Sequence, residues 1–333
     1  MDFASQFLAT VRQGGPVLLT GPESPDGDSI GACLALQKIL AELAPGVRID
    51  VAGHPGFRYD WLPGARAMVP DEQVGAYDGV VVMDGDAGRL PRPIEAAFKQ
   101  AGWTAIVDHH RSTTAGGYTL AYLDGESEST CVMVRHLMRA WGVGLDRNLA
   151  MLLYTGIIFD TGAFRHSNTR PSTHLLAAEL LGFDFPHWVV CEKVLVERRL
   201  PGLKLHARVF DQAEFLAGGR LAVGRYSLAL RKELGTGDGD VEGAVDALCM
   251  VQGVEVGAVF VEKADGRTKL SLRSRGGIDV ASLAKRISVH GGGHAKAAGA
   301  SIPGDLAAAM AIAMPSLLAA CSAPGVAGSA PAA

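Results

Sequence analysis

The sequence predicts an α/β protein of two domains: an N-terminal, mainly parallel sheet flanked by helices, followed by a smaller C-terminal α+β domain. Short apolar runs alternate with helical periodicity over about the first 195 residues, which is typical of βα units. Beyond about residue 207 the pattern changes to pairs of strands joined by short glycine-containing turns. The length of 333 residues also exceeds what a single hydrophobic core usually serves.

The first half supplies four candidate strands and four candidate helices. The strands are the apolar runs Pro16–Thr20, Val47–Val51, Gly79–Asp84 and Thr104–Asp108. Helical periodicity covers about 30–43, 93–101, 129–141 and 148–159. Asp84 and Asp108 close two strands, and Asp26 lies just past another. Because ligands bind at the carboxyl ends of strands in open parallel sheets, these acids mark a candidate site.

The second half contains two hairpin signals and three candidate helices. The strand pairs are Arg208–Phe215 with Arg220–Tyr226, and Val254–Glu262 with Lys269–Arg275. The helices fall at about 241–250, 280–287 and 306–319. We therefore place the first domain at 1–195, a charge-rich linker at 196–206, the second domain at 207–321 and a disordered Ala/Gly/Pro-rich tail at 322–333.

Composition narrows the class of partner and the compartment. The chain has 31 Lys+Arg against 35 Asp+Glu, so it lacks the basic excess with which proteins hold long nucleic acid. The five cysteines are scattered without CxxC spacing, which favours buried free thiols in a reducing compartment. The N-terminal residues do not resemble a signal peptide, and no apolar run is long enough to span a membrane. We expect a cytoplasmic protein that binds no membrane and no long nucleic acid.

Four acidic residues could hold cations. Asp26 and Asp28 lie two residues apart in the Pro25-Asp26-Gly27-Asp28 turn, a spacing that lets them reach two neighbouring ions. Asp84 ends a very apolar strand, and Asp160 ends an apolar helix, where the helix dipole disfavours an uncompensated carboxylate. Each has an ordinary alternative: a helix N-cap for the first pair, a turn residue for Asp84 and a solvated helix end for Asp160.

Two further motifs add imidazoles, glycines and basic groups. In Asp108-His109-His110, adjacent imidazoles beside a carboxylate suit Mn, Zn or Fe, and the acid could instead orient a ligating histidine. A satisfied polar cluster is the alternative. In the second half, the glycines of GGGHAKAAG (291–299) predict a helix start or an anion-binding nest. Arg273 and Arg275 share one face of a strand and suit phosphate; a solvated edge strand is the alternative.

Taken in order, PDGDSIG, VVMDGD, VDHH, YTGIIFDTG and GGGHAKAAG resemble the successive motifs of the DHH phosphoesterases with a DHH-associated C-terminal domain. The subgroup that the chain resembles most is that of the bifunctional oligoribonucleases and pAp phosphatases. The resemblance runs from about Pro16 to Ile302. GGGH followed by AAG argues against the related inorganic pyrophosphatases, which carry a different C-terminal domain.

The resemblance implies two Mn²⁺ ions and assigns their ligands. The first motif's acids, Asp26 and Asp28, would each reach one ion, and Asp84 would bridge both. His109 and Asp160 would complete the second site. Catalysis would then rest on Asp84, His109 and His110, of which His110 faces the substrate phosphate.

The resemblance also assigns the substrate contacts to the second domain. The nucleotide part would be held across a cleft between the domains by a group of side chains and glycines: Arg273, Arg275, His294, Gly292 and Gly293.

The sequence departs from the family pattern at two positions. Relatives begin the first motif with a histidine that ligates the first metal, and Pro22 stands at that position. Proline has no side-chain donor, so we expect a weaker first site unless Glu23 or water replaces the ligand. An asparagine that often follows the DHH motif is replaced by Thr113.

The implied function is metal-dependent hydrolysis of phosphate esters in short oligoribonucleotides, in 3'-phosphoadenosine 5'-phosphate (pAp), or in both. Three alternatives stay open: another small substrate such as a linear dinucleotide or polyphosphate, a weakened or single-metal hydrolase, and a nucleotide-binding protein without turnover. A homodimer is also left open.

Overall fold

The computed structural model describes residues 2–322, which fall in two compact units, Met1–Glu197 and Arg198–Ala333. The predicted disordered tail at 322–333 lies outside the described residues, except for Ser322, which is the last residue of a helix. The α/β fold class predicted from the sequence is confirmed: a parallel sheet with flanking helices comes first, and a mixed sheet follows.

The first unit is built on a five-stranded parallel sheet. Its strands are β1 Val17–Thr20, β2 Ile49–Ala52, β3 Gly79–Met83, β4 Trp103–Asp108 and β5 Leu120–Leu123. They lie in the order β2-β1-β3-β4-β5, and every pair is parallel. All residues of β1 and β3 are buried, as expected of parallel strands that are covered on both faces.

Helices cover both faces of this sheet. They are α1 Phe3–Val11, α2 Gly27–Leu43, α3 Gly56–Tyr59, α4 Arg92–Gln100, α5 Thr130–Ala140, α6 Arg147–Asp160, α7 Pro171–Leu181 and α8 His187–Cys191, followed by a π-helix at Glu192–Val196. Alternate side chains of β3 enter two cores. Val81 and Met83 pack in the larger core with α2, α5 and α6, while Val80 and Val82 pack in a smaller core with α4.

The second unit contains a six-stranded mixed sheet. Its strands are β6 Glu214–Leu216, β7 Leu221–Tyr226, β8 Val256–Glu262, β9 Arg267–Ser274, β10 Gly292–His294 and β11 Ala297–Pro303. Their order is β10-β11-β9-β8-β7-β6, and all pairs are antiparallel except β7 with β8. Its helices are α9 Leu200–Asp211, α10 Leu228–Glu233, α11 Ala244–Cys249, α12 Val280–Ile287 and α13 Leu306–Ser322. As in β3, the side chains of alternate residues in β8 pack into two separate hydrophobic cores.

Two expectations for the second half are wrong. The segment Arg208–Phe215 is not a strand: α9 runs through Asp211, and only Glu214–Leu216 pairs with β7. Pro201 lies in the first turn of α9, where its missing N–H costs nothing. The boundary between the two units, after Glu197, falls within the segment 196–206 that we predicted as a linker. The glycine motif is not a helix start either, because it folds as the hairpin β10–β11.

None of the helices within residues 2–322 is long and apolar enough to cross a membrane. All five cysteines are free, and four are buried as expected. Cys191 is the exception, being only half-buried.

Candidate metal centre

Four side chains from four elements meet at the carboxyl edge of the parallel sheet. Asp84 directly follows β3, His109 directly follows β4, Asp28 lies in the first turn of α2, and Asp160 is the last residue of α6. One ligand atom of each lies within 4.8 Å of those of the other three. Asp160 is half-buried and the other three are buried. Three carboxylates and one imidazole in so small a volume fit a divalent cation such as Mn²⁺.

Asp28 is held by the N-terminus of α5. The backbone N–H groups of Thr130 and Cys131 donate to its two carboxylate oxygens, at 2.6 Å and 2.9 Å. Ser129 is the N-cap of α5, and its hydroxyl accepts from the Val132 N–H. A helix N-terminus is a favourable place for an acidic side chain, and these two N–H donors hold the Asp28 side chain in position at the site.

Asp84 adopts a strained backbone conformation. Its φ is 58°, in the left-handed region that non-glycine residues avoid, and Gly85 follows with φ 150°. The Thr130 hydroxyl donates to its Oδ1 at 3.2 Å. Burial, together with the nearby Asp26 and Asp28 carboxylates, raises the pKa of Asp84 well above its usual value. A cation at this position would relieve that repulsion.

His109 presents one ring nitrogen to the acids. Its Nδ1 lies 3.3 Å from the Ser127 carbonyl oxygen, to which it can donate, and its Nε2 lies 3.4 Å from Asp84 Oδ1 and 3.1 Å from Asp160 Oδ2. Burial would lower the pKa of His109, but Asp160 and Asp84 outweigh it and raise that pKa well above its usual value. Burial and Asp28 raise the pKa of Asp160 to about 7.

Asp108 orients His110 rather than joining the four. The His110 Nδ1 lies 2.6 Å from Asp108 Oδ1, and the Thr113 hydroxyl donates to Asp108 Oδ2 at 2.5 Å. Burial alone would raise the pKa of Asp108, but these hydrogen bonds lower it to about 2. An ionised Asp108 therefore requires a proton on Nδ1, which leaves Nε2 as the nitrogen for proton exchange.

The loop after α6 folds back on Asp160. Gly162, Ala163 and Phe164 all have positive φ, at 54°, 54° and 66°. This reversal brings Asn168 back to the site, where its Nδ2 donates to the carbonyl oxygens of Asp160 at 3.3 Å and Glu128 at 3.1 Å. The loop thus ties the end of α6 to the segment that precedes α5.

Asp26 does not join the four-residue group. Its Oδ1 accepts from the N–H groups of Asp28 and Ser29, at 2.9 Å and 3.1 Å, so it is the N-cap of α2. The N-cap alternative therefore describes what Asp26 does in this structure. Pro22 is buried beside Gly85, and Glu23 is exposed. The described residues hold one complete group of four ligands where the resemblance implied two metals.

The predicted nucleotide-binding residues lie together in the second unit. Arg273 on β9 is directly opposite Ala297 on β11, which is opposite His294 on β10, so the three share one face of the sheet. Because β9 lies inside the sheet, the edge-strand alternative for the arginines is wrong. Arg273 Nε donates to Asp246 at 2.7 Å.

Arg275 and the glycines differ from the expectation in detail. Arg275 follows the last residue of β9 and donates to the Cys249 carbonyl oxygen at 3.0 Å. Gly292 pairs with Gly299 in the hairpin. Gly293 has φ 129°, and a Cβ there would lie 2.5 Å from the Ala297 carbonyl oxygen, so the close approach of the two strands requires glycine.

The groups that the sequence did not reveal are those that hold the ligands. Thr130, the Ser127 carbonyl and Asn168 belong to this set. A Ser-Thr pair before an apolar run does signal a helix start. It does not tell which side chain the helix N-terminus faces, because that depends on packing between helices more than a hundred residues apart in sequence.

Comparisons with known proteins agree with this architecture. The family model of the DHH family N-terminal domain matches residues 16–157, and that of the DHHA1 domain matches residues 223–320. A Thermus thermophilus protein named bifunctional oligoribonuclease and PAP phosphatase NrnA is 31% identical over 305 residues, covering 91% of this chain and 89% of its own length. A Streptococcus mutans protein, named as a probable enzyme of the same kind, is 27% identical over 89% of this chain and 92% of its own.

Among solved structures, an exopolyphosphatase-related protein from Bacteroides fragilis superposes with a TM-score of 0.80 at 22% identity, covering 95% of each chain. At that identity the likeness shows the fold alone. The two family models, together with a relative that is 31% identical over nine-tenths of the chain, establish the affiliation. The chain belongs to the DHH family, with a DHHA1 domain as its second unit.

Proposed function

We propose that this protein is a divalent-metal-dependent phosphoesterase that hydrolyses short oligoribonucleotides and pAp, with Mn²⁺ as its metal. The observation that carries the proposal is the convergence of Asp28, Asp84, His109 and Asp160 within 4.8 Å at the carboxyl edge of the sheet. The names of the Thermus and Streptococcus relatives supply the substrate class. Mixed carboxylate and imidazole ligands favour Mn²⁺ over Ca²⁺ or Mg²⁺.

The four side chains would hold the cation, and neighbouring groups would hold the reacting phosphate. A bound divalent cation supplies an activated water and neutralises charge on the phosphate. Asp108 holds the His110 ring with a proton on Nδ1, so that Nε2 is the nitrogen that exchanges a proton with the reacting groups. In the imidazolium form, Nε2 donates towards a phosphate oxygen or the leaving group. In the second unit, Arg273 and His294 offer donors from one face of the sheet to the phosphate of the bound nucleotide.

The net charge supports short substrates. With 35 acidic against 31 basic residues, the chain has no overall attraction for a long polyanion. Short oligonucleotides need only local contacts, which the two arginines and His294 can give.

The proposal is tested by following AMP release from pApA and phosphate release from pAp, in Mn²⁺ and in excess chelator. We expect turnover with Mn²⁺ and none with chelator. Asp84→Asn should reduce turnover to background, while Asp124→Asn should not. Asp124 follows β5 at the same edge of the sheet but lies outside the four-residue group, so it is a matched control. Full activity of Asp84→Asn would overturn the assignment of the centre.

A single-metal enzyme is the second candidate. It is favoured by Pro22, which offers no ligand, and by Asp26, whose Oδ1 already caps α2. Counting bound Mn²⁺ per chain at saturation of activity distinguishes one ion from two.

A further inference from the structure

A cavity of about 260 Å³ lies at the carboxyl edge of the parallel sheet in the first unit. It is formed by the two loops that leave the carboxyl ends of β3 and β4, and by α4. Its wall includes Asp86, two residues beyond Asp84, and Thr113, three residues beyond His110. The volume is slightly below the range of about 300–1,000 Å³ that drug-sized ligands occupy, which suits a group of nucleoside size.

The cavity is joined to the reacting groups by hydrogen bonds. The Thr113 N–H donates to the His110 carbonyl oxygen at 3.2 Å, and its hydroxyl donates to Asp108, which orients the His110 ring. On the opposite wall, the Ala87 N–H donates to the Tyr118 hydroxyl at 2.7 Å, which ties the two loops together. A molecule in this cavity would therefore contact Thr113, whose hydrogen bond to Asp108 leads directly to the His110 ring.

The lining selects against phosphate and in favour of a neutral, flat, hydroxyl-bearing group. None of the described residues that line the cavity is a lysine or an arginine, and Asp86 contributes a carboxylate that repels anions. Phe98 and Tyr118 form an aromatic pair with ring centroids 5.6 Å apart and planes at 73°. Ser112 and Thr114 add exposed hydroxyls at the rim. Aromatic rings suit a base, and hydroxyls suit a ribose.

We propose that this cavity holds the second nucleoside of a dinucleotide, the one beyond the phosphate that is cleaved. The inference rests on the proposed function. It adds that this cavity helps to determine how long a substrate the enzyme binds well. The second nucleoside exists in pApA but not in pAp, where the phosphate to be removed is terminal. The cavity thus contributes to the binding of one substrate class and not of the other.

The test compares the two substrates in one variant. Phe98→Leu keeps an apolar side chain for the small core against which Phe98 packs, but removes the aromatic surface. We expect KM for pApA to rise about tenfold while kcat and KM for pAp stay unchanged. Tenfold corresponds to about 1.4 kcal/mol, which lies in the lower part of the range of about 1–3 kcal/mol measured for a base stacked on an aromatic side chain.

A second variant guards against a folding defect in the first. The pair Ser112→Ala and Thr114→Ala removes two exposed hydroxyls with little risk to the core. We expect KM for pApA to rise about fivefold with pAp again unaffected, because two hydrogen bonds are lost and each contributes at the lower end of the usual range. Phe215→Leu is the matched control, because it makes the same substitution on an exposed ring. Phe215 lies on β6, at the edge of the second sheet opposite β10. This variant should change KM for neither substrate.

The outcomes separate this inference from the proposed function. Hydrolysis of both substrates, with the cavity variants affecting pApA and pAp equally or not at all, overturns the role of the cavity and leaves the proposed function standing. Failure of the unaltered protein to hydrolyse either substrate overturns the proposed function and the cavity's role with it.

Discussion

Thr130 contacts two members of the four-residue group at the candidate metal centre. Its N–H donates to Asp28, and its hydroxyl donates to Asp84. Thr130→Val keeps the shape and the backbone contact but removes the hydroxyl. Loss of such a supporting hydrogen bond typically weakens metal affinity or activity about 10–100-fold. We expect a loss in that range for Mn²⁺ binding, measured by the electron paramagnetic resonance signal of free Mn²⁺.

Two controls show whether the hydroxyl itself is responsible. Thr130→Ser retains it and should restore most of the Mn²⁺ affinity. Ser172→Ala removes a hydroxyl that donates to Glu128 instead, and should leave Mn²⁺ binding unchanged. Tight binding by Thr130→Val would mean that the Asp84 conformation is held by the backbone alone.

Pro22 is one of the two residues at which the sequence departs from the expected family pattern. A Cβ on Gly85 would lie 3.7 Å from the Pro22 Cβ, so position 22 borders the strained turn at Asp84. Pro22→His adds an imidazole there and should lower the Mn²⁺ concentration for half-maximal activity about 10–100-fold, if the gain equals the cost of a lost ligand-shell contact. Pro22→Ala controls for the loss of the proline ring. An unchanged Mn²⁺ requirement in Pro22→His would show that another group of the natural chain already provides the ligand that Pro22 cannot.

At the scale of elements, two glycines let helices pack against the site. A Cβ on Gly156 of α6 would lie 2.2 Å from Asp28 Oδ1 and 2.4 Å from Cys131 Sγ, whereas one on Gly31 of α2 would lie 2.6 Å from the Leu152 carbonyl oxygen. Overpacking of this kind costs about 1–3 kcal/mol. We expect Gly156→Ala and Gly31→Ala to lose similar stability in urea.

The two variants should differ in metal binding. Only Gly156→Ala displaces Asp28 from the donors of α5, so its Mn²⁺ affinity should fall well below that of Gly31→Ala. Equal affinities would indicate that Asp28 is less constrained than its two hydrogen bonds suggest.

The strands of the first unit were predictable because buried parallel strands are continuous apolar runs, as in Gly79–Met83. Two of the candidate ligands, Asp84 and His109, were visible because they directly follow such strands. The helical character of Arg208–Asp211 was missed, since Val209 and Leu205 bury one helical face and a short window does not separate that from a strand. The role of Asp26 as a cap was foreseen only as an alternative.

Because the chain has two units, the effect of metal binding on the stability of each unit can be measured separately. All four tryptophans lie in the first unit: Trp61, Trp103, Trp141 and Trp188. Since a ligand stabilises what it binds, Mn²⁺ at a hundredfold excess over its Kd should add about 2.7 kcal/mol to this unit. For a domain of this size that raises the thermal midpoint by about 5–10 °C.

The measurement is the tryptophan fluorescence melt with Mn²⁺ and with chelator. Hydrogen exchange in β8 and β9 provides the internal control, because the second unit has cores of its own and should not gain protection. Equal gains in both units would show that they unfold together.

The hydrogen bond between Thr130 and Asp28 joins residues 102 positions apart, and Asp160 lies further along still. A growing polypeptide that leaves the ribosome therefore lacks part of this centre until the whole of α6 has been made. Contacts so distant in sequence form late, after the nearer pairings of the sheet. During biosynthesis, the ability to hold a cation, and with it the proposed ability to cleave RNA, thus arises only once the first unit is nearly finished.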